Sequence, residues 1–294
     1  MSLYADQPPF RSWTLEAGQG HRLHVDEWGA PQGTPALLLH GGPGSGCSPL
    51  LRRFFDPARY RVICLDQRGA GRSQPRGATS HNETVHLLAD LRMLRERLAL
   101  PRWLVVGGSW GATLALAHAL DEPQAVAGLL LRALFLPRQA DIDAFFAGGP
   151  PLALRAAGLN GADTRRSALA WWRHEQDRSG ARGNEPDDAA LDALTDRYRV
   201  QAHYLLHRCW LDDPPLLARC AALPAVPTLL LHARDDRVCP PGAAAALQAR
   251  CPQVQLQWLE RGGHDPADPA MAAAMVSALE RFAARGDFLK APPP

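Results

Sequence analysis

The chain has 294 residues, of which 46% are apolar and 21% charged, and its formal net charge is +2. This composition is typical of a globular protein with one large core, and the scattered arginines predict no nucleic-acid partner. No stretch has the length and apolarity of a membrane span, and the first residues lack a signal pattern, so no membrane partner is predicted. The six cysteines form no Cys-x-x-Cys pair, which predicts free thiols and a cytoplasmic protein.

Short apolar runs that break into glycine and polar residues predict the first strands, "PALLLHGGPG" at 35–44 and "YRVICLDQRGAGRS" at 60–73. A helix is predicted over 82–100, with Val85 on its apolar face and Asn82 as its N-cap. The strand "RWLVVGG", a helix over 113–120 and a strand over 125–136 follow.

From about residue 138 to 212 the sequence shows only helical patterns, and strands return with "VPTLLLHARDD" and "VQLQWLE". A last helix is predicted from about residue 269 to 284. This alternation predicts an α/β fold with a mostly parallel sheet and helices on both faces. The predicted division is a core of residues 1–137 and 213–294, with an inserted all-helical cap of residues 138–212 over the strand ends.

The stretch "GGSWG" at 107–111 fits Gly-x-Ser-x-Gly between a predicted strand and a predicted helix. In that context the motif is a nucleophile elbow, a turn too sharp for flanking side chains, from which Ser109 projects. Amides at the start of the following helix can stabilise a developing oxyanion. Outside this context, the same pattern would describe a glycine-rich turn with a helix-capping serine.

A serine nucleophile needs a base and an acid that orients the base, and these are expected downstream in that chain order. His264, in the glycine-rich "ERGGHDP", is the predicted base, and Asp236 the preferred acid with Asp235 as its rival. "HGGPG" at 40–44 matches the loop that supplies a second oxyanion amide. The predicted oxyanion hole is therefore the backbone N–H groups of Gly42 and Trp110.

The remaining candidates for metal or cofactor binding are interpreted as packing residues. His203 and His207 share a helix face, but the glutamate of His-Glu-x-x-His is missing and no third ligand is evident, so no metal is predicted. Trp171 and Trp172 are interpreted as core residues of the helical insertion. No cofactor is predicted, because "GAGRS" does not form a nucleotide-binding strand–helix unit.

Taken together, "HGGPGSG", "LDQRGAGRS", "RWLVVGGSWGATLALAHA" and "RDDRVCP" make the chain closely resemble the proline iminopeptidases of the α/β-hydrolase superfamily. The resemblance implies an α/β-hydrolase fold with a helical cap, and metal-free, serine-dependent release of N-terminal proline from small peptides. It also implies the catalytic residues Ser109, Asp236 and His264, which favours Asp236 over Asp235.

The resemblance further implies that Phe135 and Cys239 line the pocket for the proline ring. In the cap, "WWRHE" retains Glu175, the family's ligand for the substrate amino group. In "QAHYLL", Gln201 stands where the family has a second glutamate and Leu205 where it has phenylalanine, and Tyr204 is expected to bind substrate. Loss of one carboxylate is expected to weaken binding of a protonated amine.

Three functions are thus considered. The first is a serine exopeptidase that releases N-terminal proline from a small peptide through an acyl-enzyme. The second keeps the same catalytic residues but acts on small esters or amides that lack a free N-terminal amine. The third is a catalytically inactive hydrolase fold that serves as a binding module.

Overall fold

The computed structural model describes residues 3–180 and 183–289. Within these residues the chain forms an eight-stranded sheet with the strand order β1-β2-β4-β3-β5-β6-β7-β8. The strands are β1 (Arg11–Gly18), β2 (His21–Gly29), β3 (Thr34–Leu39), β4 (Tyr60–Leu65), β5 (Trp103–Gly108), β6 (Val126–Arg132), β7 (Thr228–Ala233) and β8 (Gln255–Leu259).

The sheet is antiparallel at one edge and parallel elsewhere. β2 pairs antiparallel with both β1 and β4, whereas the pairs from β4 and β3 through to β7 and β8 are parallel. The predicted mostly parallel sheet is therefore confirmed, and the hairpin of β1 and β2 is an addition to the predicted strands.

Helices cover both faces of this sheet and fill the predicted insertion. They are α1 (Pro49–Arg52), α2 (Thr84–Arg97), α3 (Trp110–Asp121), α4 (Gln139–Phe146), α5 (Leu152–Gly158), α6 (Thr164–Ser179), α7 (Asp188–Leu206), α8 (Leu216–Arg219), α9 (Gly242–Arg250) and α10 (Pro269–Arg285). No helix among the described residues has the length and apolar composition needed to cross a membrane.

Alternation along the strands divides the core between the two faces. In β3, Leu37 and Leu39 face a cluster that includes α2 and α3, whereas Ala36 and Leu38 face a second cluster built on α10. Because successive strand side chains point to opposite faces, a fully buried strand needs apolar residues on both. This is why β3 appears in the sequence as a continuous apolar run.

The cap helices, α4 to α7, pack around an apolar cluster of their own. Trp171 is fully buried there and stacks on Tyr198 with ring centroids 5.0 Å apart. In the described part of the stretch predicted to be helical the regular elements are helices, and its delimitation as a domain at residues 138 and 212 stays a prediction.

Two sequence-based expectations for α2 are wrong. The helix begins at Thr84, and the Asn82 amide donates instead to the carbonyls of Arg68 and Ala78, at 3.0 and 2.7 Å. Asn82 is fully buried, so its amide is used to tie loops together rather than to cap a helix. Val85, placed on the apolar face by its spacing, is 62% exposed.

Acid is expected to destabilise the fold through His118 on α3. This side chain is fully buried and accepts a hydrogen bond from Trp103 Nε1 at 3.1 Å, and burial lowers its pKa from 6.5 to about 4. Between these values the unfolded chain binds a proton that the folded chain does not. Stability is therefore lost as pH falls from 6.5 towards 4, by about 3 kcal/mol at the lower end.

The measurement is the free energy of unfolding by urea at several pH values, for wild type and His118→Gln. Glutamine can still accept from Trp103 but does not titrate. We expect a smaller loss of stability on acidification in the variant, with the remaining loss coming from other buried histidines. An equal loss in both proteins would contradict this role.

Candidate active site

Ser109 lies at the tight turn between β5 and α3. Its backbone has φ 56° and ψ −124°, a conformation that side-chain-bearing residues rarely adopt. A Cβ at Gly107 would lie 2.2 Å from the Gly111 carbonyl oxygen, and one at Gly111 would lie 2.2 Å from that of Leu39. The glycines are therefore required by the close approach of backbone segments, and the predicted elbow geometry is present.

His264 and Asp236 lie on the loops that follow β8 and β7. His264 Nδ1 lies 2.8 Å from Asp236 Oδ2, and Asp236 Oδ1 accepts the backbone N–H groups of Val238 and Cys239 at 2.9 and 2.8 Å. Burial of Asp236 disfavours its charge, but the charge and hydrogen bond of His264 outweigh this and lower its pKa. The acid is thus ionised and holds the imidazole through Nδ1.

The rival aspartate has a different position. Asp235 is exposed, and its Oδ1 accepts the backbone N–H of Gly263 at 2.9 Å. It therefore helps to shape the loop that carries His264 without touching the imidazole. The structure brings Asp236, and not Asp235, to the histidine.

The Ser109 hydroxyl contacts a thiol in this conformation. Its Oγ lies 3.8 Å from Cys239 Sγ, and both residues line the same cavity as His264. Burial raises the pKa of the Cys239 thiol well above its usual range, so the thiol stays protonated. Proton transfer requires the hydroxyl to come within hydrogen-bond reach of His264, and such catalytic hydrogen bonds often form fully only when substrate is bound.

A buried hydrogen-bond network joins the two segments that carry the predicted oxyanion amides. Gln67 donates from its backbone N–H to His40 Nε2 at 3.0 Å and from its side chain to the His40 carbonyl at 3.1 Å. Its Oε1 accepts from Trp110 Nε1 at 2.9 Å. The loop with Gly42 is thereby fixed against the first turn of α3, where the Trp110 N–H has no intrahelical acceptor.

Arg132 is a charged residue of this site that sequence reasoning missed. It ends β6 and is 6% exposed, and its Nη1 donates to the His264 carbonyl at 2.9 Å. Burial lowers its pKa, and the carboxylate of Asp236 opposes that shift. An arginine that ends the apolar run "GLLLR" is the signal that could have pointed to it.

A cavity of about 330 Å³ opens above Ser109 between the core and the cap helices. The predicted substrate-binding residues Phe135, Glu175, Gln201 and Cys239 all line it. Glu175 and Gln201 lie together, because Gln201 Nε2 donates to Glu175 Oε1 at 3.3 Å. The core contributes Ser109 and His264 to the lining, which we call the reactive end of the cavity. The cap helices contribute Glu175 and Gln201, which we call its far end.

Tyr204 lies elsewhere, and its predicted contact with substrate is wrong. The side chain is fully buried beneath the site, its hydroxyl donates to Asn82 Oδ1 at 2.9 Å, and its ring packs edge-on against Trp110. The two nearby histidines also pack: His207, just after α7, stacks on Trp210, and the ring centroid of His203 lies 4.9 Å from that of Trp210. Tyr204 therefore supports the nucleophile elbow by packing against Trp110, the first residue of α3.

Comparison with known proteins agrees with this geometry. A family model described as alpha/beta hydrolase fold matches residues 34–268. An esterase from Exiguobacterium antarcticum and a proline iminopeptidase from Mycobacterium smegmatis share the fold, with TM-scores of 0.70 and 0.66. Their sequence identities are 20% and 18%; the matches cover 93% and 94% of this chain and 100% of each solved chain. The chain belongs to the α/β-hydrolase-fold family.

Sequence similarity identifies a family within the α/β hydrolases. The chain is 34% identical to a proline iminopeptidase from Arabidopsis thaliana, over 96% of its own length and 82% of that protein. It is also 34% identical to a proline iminopeptidase from Xanthomonas citri, over 96% of its own length and 99% of that protein. The protein is a member of the proline iminopeptidase family.

Proposed function

We propose that this protein is a serine exopeptidase that releases N-terminal proline from small peptides through an acyl-enzyme. The observation that carries the proposal is the pair of His264 and Asp236 at 2.8 Å, together with a strained Ser109, at one cavity that residues of the cap helices also line. Membership of the proline iminopeptidase family supports the substrate class.

In the proposed reaction, Ser109 Oγ attacks the carbonyl carbon of the first peptide bond while His264 Nε2 takes its proton. The negative charge that develops on the carbonyl oxygen is stabilised by the N–H groups of Gly42 and Trp110. As the C–N bond breaks, the imidazolium returns the proton to the leaving amine. Water then attacks the acyl-enzyme by the same route and releases free proline.

Selection of an N-terminal residue is proposed to follow from the shape of the cavity. Phe135 and Cys239 supply apolar surface for the proline ring, and Glu175 and Gln201 lie at the end where its nitrogen would be placed. Because residues of the cap helices lie at that end, they would oppose a residue preceding the proline, which would restrict cleavage to the first bond.

Substitution of the nucleophile tests the proposed mechanism. Ser109→Ala is expected to lower kcat/KM for a prolyl anilide by about 10⁴-fold or more, since only the oxyanion hole and substrate binding remain. A serine-directed phosphonate should label the wild type and not the variant. Equal rates in the two proteins would refute the serine mechanism, and wild type that is neither labelled nor active would indicate a binding module.

A second candidate function is hydrolysis of small esters or amides that lack a free amine. The observation that favours it is that the Glu175 carboxylate already accepts hydrogen bonds from Arg197 and Tyr198, at 2.8 and 3.0 Å. Rates on prolyl anilide, N-blocked prolyl anilide and a short-chain ester distinguish the two functions. Faster turnover of the blocked or ester substrate would favour the second.

We also propose a cytoplasmic location for the enzyme. The support is that all six cysteines are free thiols, as expected of a protein kept in a reducing compartment.

A further inference from the structure

The carboxylate at the far end of the cavity is already occupied by protein donors. Glu175, on α6, accepts from Arg197 Nη2 and the Tyr198 hydroxyl at Oε2 and from Gln201 Nε2 at Oε1, so three side chains of α7 contact it. The side chains of Glu175 and Arg197 are 15% and 29% exposed. This partial burial makes their ion pair stronger than one on the open surface.

This arrangement fixes the orientation of the Gln201 amide. A carboxylate only accepts hydrogen bonds, so Gln201 must turn its NH₂ group towards Glu175 and its Oε1 away from it. Gln201 is 5% exposed and lines the cavity, and its Oε1 has no hydrogen-bond partner among the described residues. A buried acceptor without a donor is destabilising, and an N–H group of a bound molecule would satisfy it.

The other charged and titratable groups around Glu175 do not give this part of the cavity a net negative charge. Arg155 on α5 and His174 on α6 are close enough to interact with it electrostatically, and burial lowers the pKa of both. Burial likewise raises the pKa of Tyr198 well above its usual range, so this hydroxyl is neutral. Towards the core, Arg132 and His264 also line the cavity, with Asp236 paired to His264.

We propose that Arg197 is the internal counter-ion of Glu175 and thereby determines substrate specificity. The site binds the substrate ring through one uncharged N–H group, which donates a hydrogen bond to Gln201 Oε1. This inference rests on the proposed function and refines its substrate class. An N-terminal proline enters as the unprotonated secondary amine. A five-membered lactam, which carries a neutral N–H on a ring of the same size, fits the same site.

A protonated proline nitrogen is disfavoured for an electrostatic reason. The carboxylate of Glu175 and the guanidinium of Arg197 cancel in charge, so the site offers an incoming cation no net attraction. To pair with Glu175, the ammonium would have to displace Arg197 and leave a guanidinium without its partner. Because α-amino groups ordinarily titrate near pH 8, affinity should rise with pH as the unprotonated fraction increases.

Calorimetry on the inactive Ser109→Ala protein tests this without turnover. The probes are prolinamide, whose amine titrates, and pyroglutamamide, whose lactam N–H does not. Between about pH 6 and pH 9, the Kd of prolinamide is expected to fall by about tenfold or more, while that of pyroglutamamide stays constant. A prolinamide Kd that is equal at the two pH values, or lower at pH 6, would overturn the proposal.

Variants of Arg197 assign the effect to the ion pair. In Ser109→Ala combined with Arg197→Met, prolinamide should bind about tenfold more tightly at pH 6, because Glu175 is free to pair with the ammonium. Arg197→Gln keeps a donor to Glu175 without the charge and serves if the methionine variant does not fold. The matched control is Arg199→Met on the same helix, which removes an arginine paired with Asp196 outside the cavity. A pH dependence that is the same with and without Arg197 would overturn the proposal.

The two proposals fail in different ways. If wild type releases no proline from any substrate but the calorimetric results are as expected, the exopeptidase function is wrong and the binding site stands. If proline is released and the Arg197 variants bind prolinamide as the parent does, the function stands and the role of Arg197 is wrong.

Discussion

Replacing Asp236 with asparagine is expected to lower kcat on a prolyl anilide by about 10⁴-fold. Oδ1 of Asp236 accepts two backbone N–H groups, from Val238 and Cys239, so an asparagine must place its carbonyl oxygen there. Its NH₂ group would then face His264 Nδ1 and would stabilise the tautomer with a proton on Nε2. That tautomer cannot take the proton of Ser109, and catalysis is lost although the geometry is kept.

The adjacent aspartate offers a matched control for this experiment. Asp235→Asn removes an exposed carboxylate that contacts the Gly263 N–H and not the imidazole. We expect its kcat to remain within a few-fold of wild type. Steady-state kinetics and a melting curve should be recorded for both variants, and similar losses of kcat in the two would contradict the assignment of Asp236 as the orienting acid.

Removal of Asp90 is expected to cause the largest loss of stability. Asp90 on α2 forms a two-bond ion pair with Arg68, at 2.7 and 2.8 Å, and the two side chains are 1% and 2% exposed. Arg68 also donates to the carbonyls of Ala17 and His81, so it links β1, the loop after β4 and the start of α2. Asp90→Ala would leave a buried guanidinium unpaired, at an expected cost of about 3–5 kcal/mol.

Urea unfolding monitored by circular dichroism gives the free energy for this comparison. Arg165 and Asp192 form a two-bond pair of similar geometry at the surface, so Asp192→Ala is the control. Its unfolding midpoint should stay close to that of wild type, because solvent screens an exposed pair. Comparable shifts in the two variants would show that burial of the Arg68–Asp90 pair has no special effect.

The parallel part of the fold was predictable from the sequence because it is buried on both faces. β3, β4, β5 and β7 consist almost wholly of apolar residues, and such runs have few other structural interpretations. The hairpin of β1 and β2 was missed for the opposite reason. It lies at a sheet edge, and the alternation of apolar and polar residues in its strands is interrupted by charged residues, among them Arg11, Glu16, Asp26 and Glu27.

The reactive end of the site was predictable because each of its residues follows a strand in a recognisable motif. Ser109 lies more than a hundred residues before Asp236, and His264 lies 28 residues after Asp236, but strand order brings their loops to one edge of the sheet. The cap side of the cavity was predictable only in part: the family resemblance implied Glu175 and Gln201, which line it, but side-chain direction on a cap helix cannot be deduced from spacing alone. Tyr204 packs against Trp110 and donates to Asn82, while Arg197, one of the two arginines on α7, reaches Glu175.

The cavity has a consequence for how such an enzyme can change. Its bond-breaking groups come from strand-end loops of the sheet, whereas Glu175, Arg197 and Gln201 come from two helices of one continuous insertion. A mutational library confined to the cavity-lining positions of those two helices, which excludes Tyr204, is therefore expected to alter which acyl groups are admitted without changing Ser109, Asp236 or His264. If the proposed roles hold, substrate range and turnover depend on separate segments of the chain and can be changed independently.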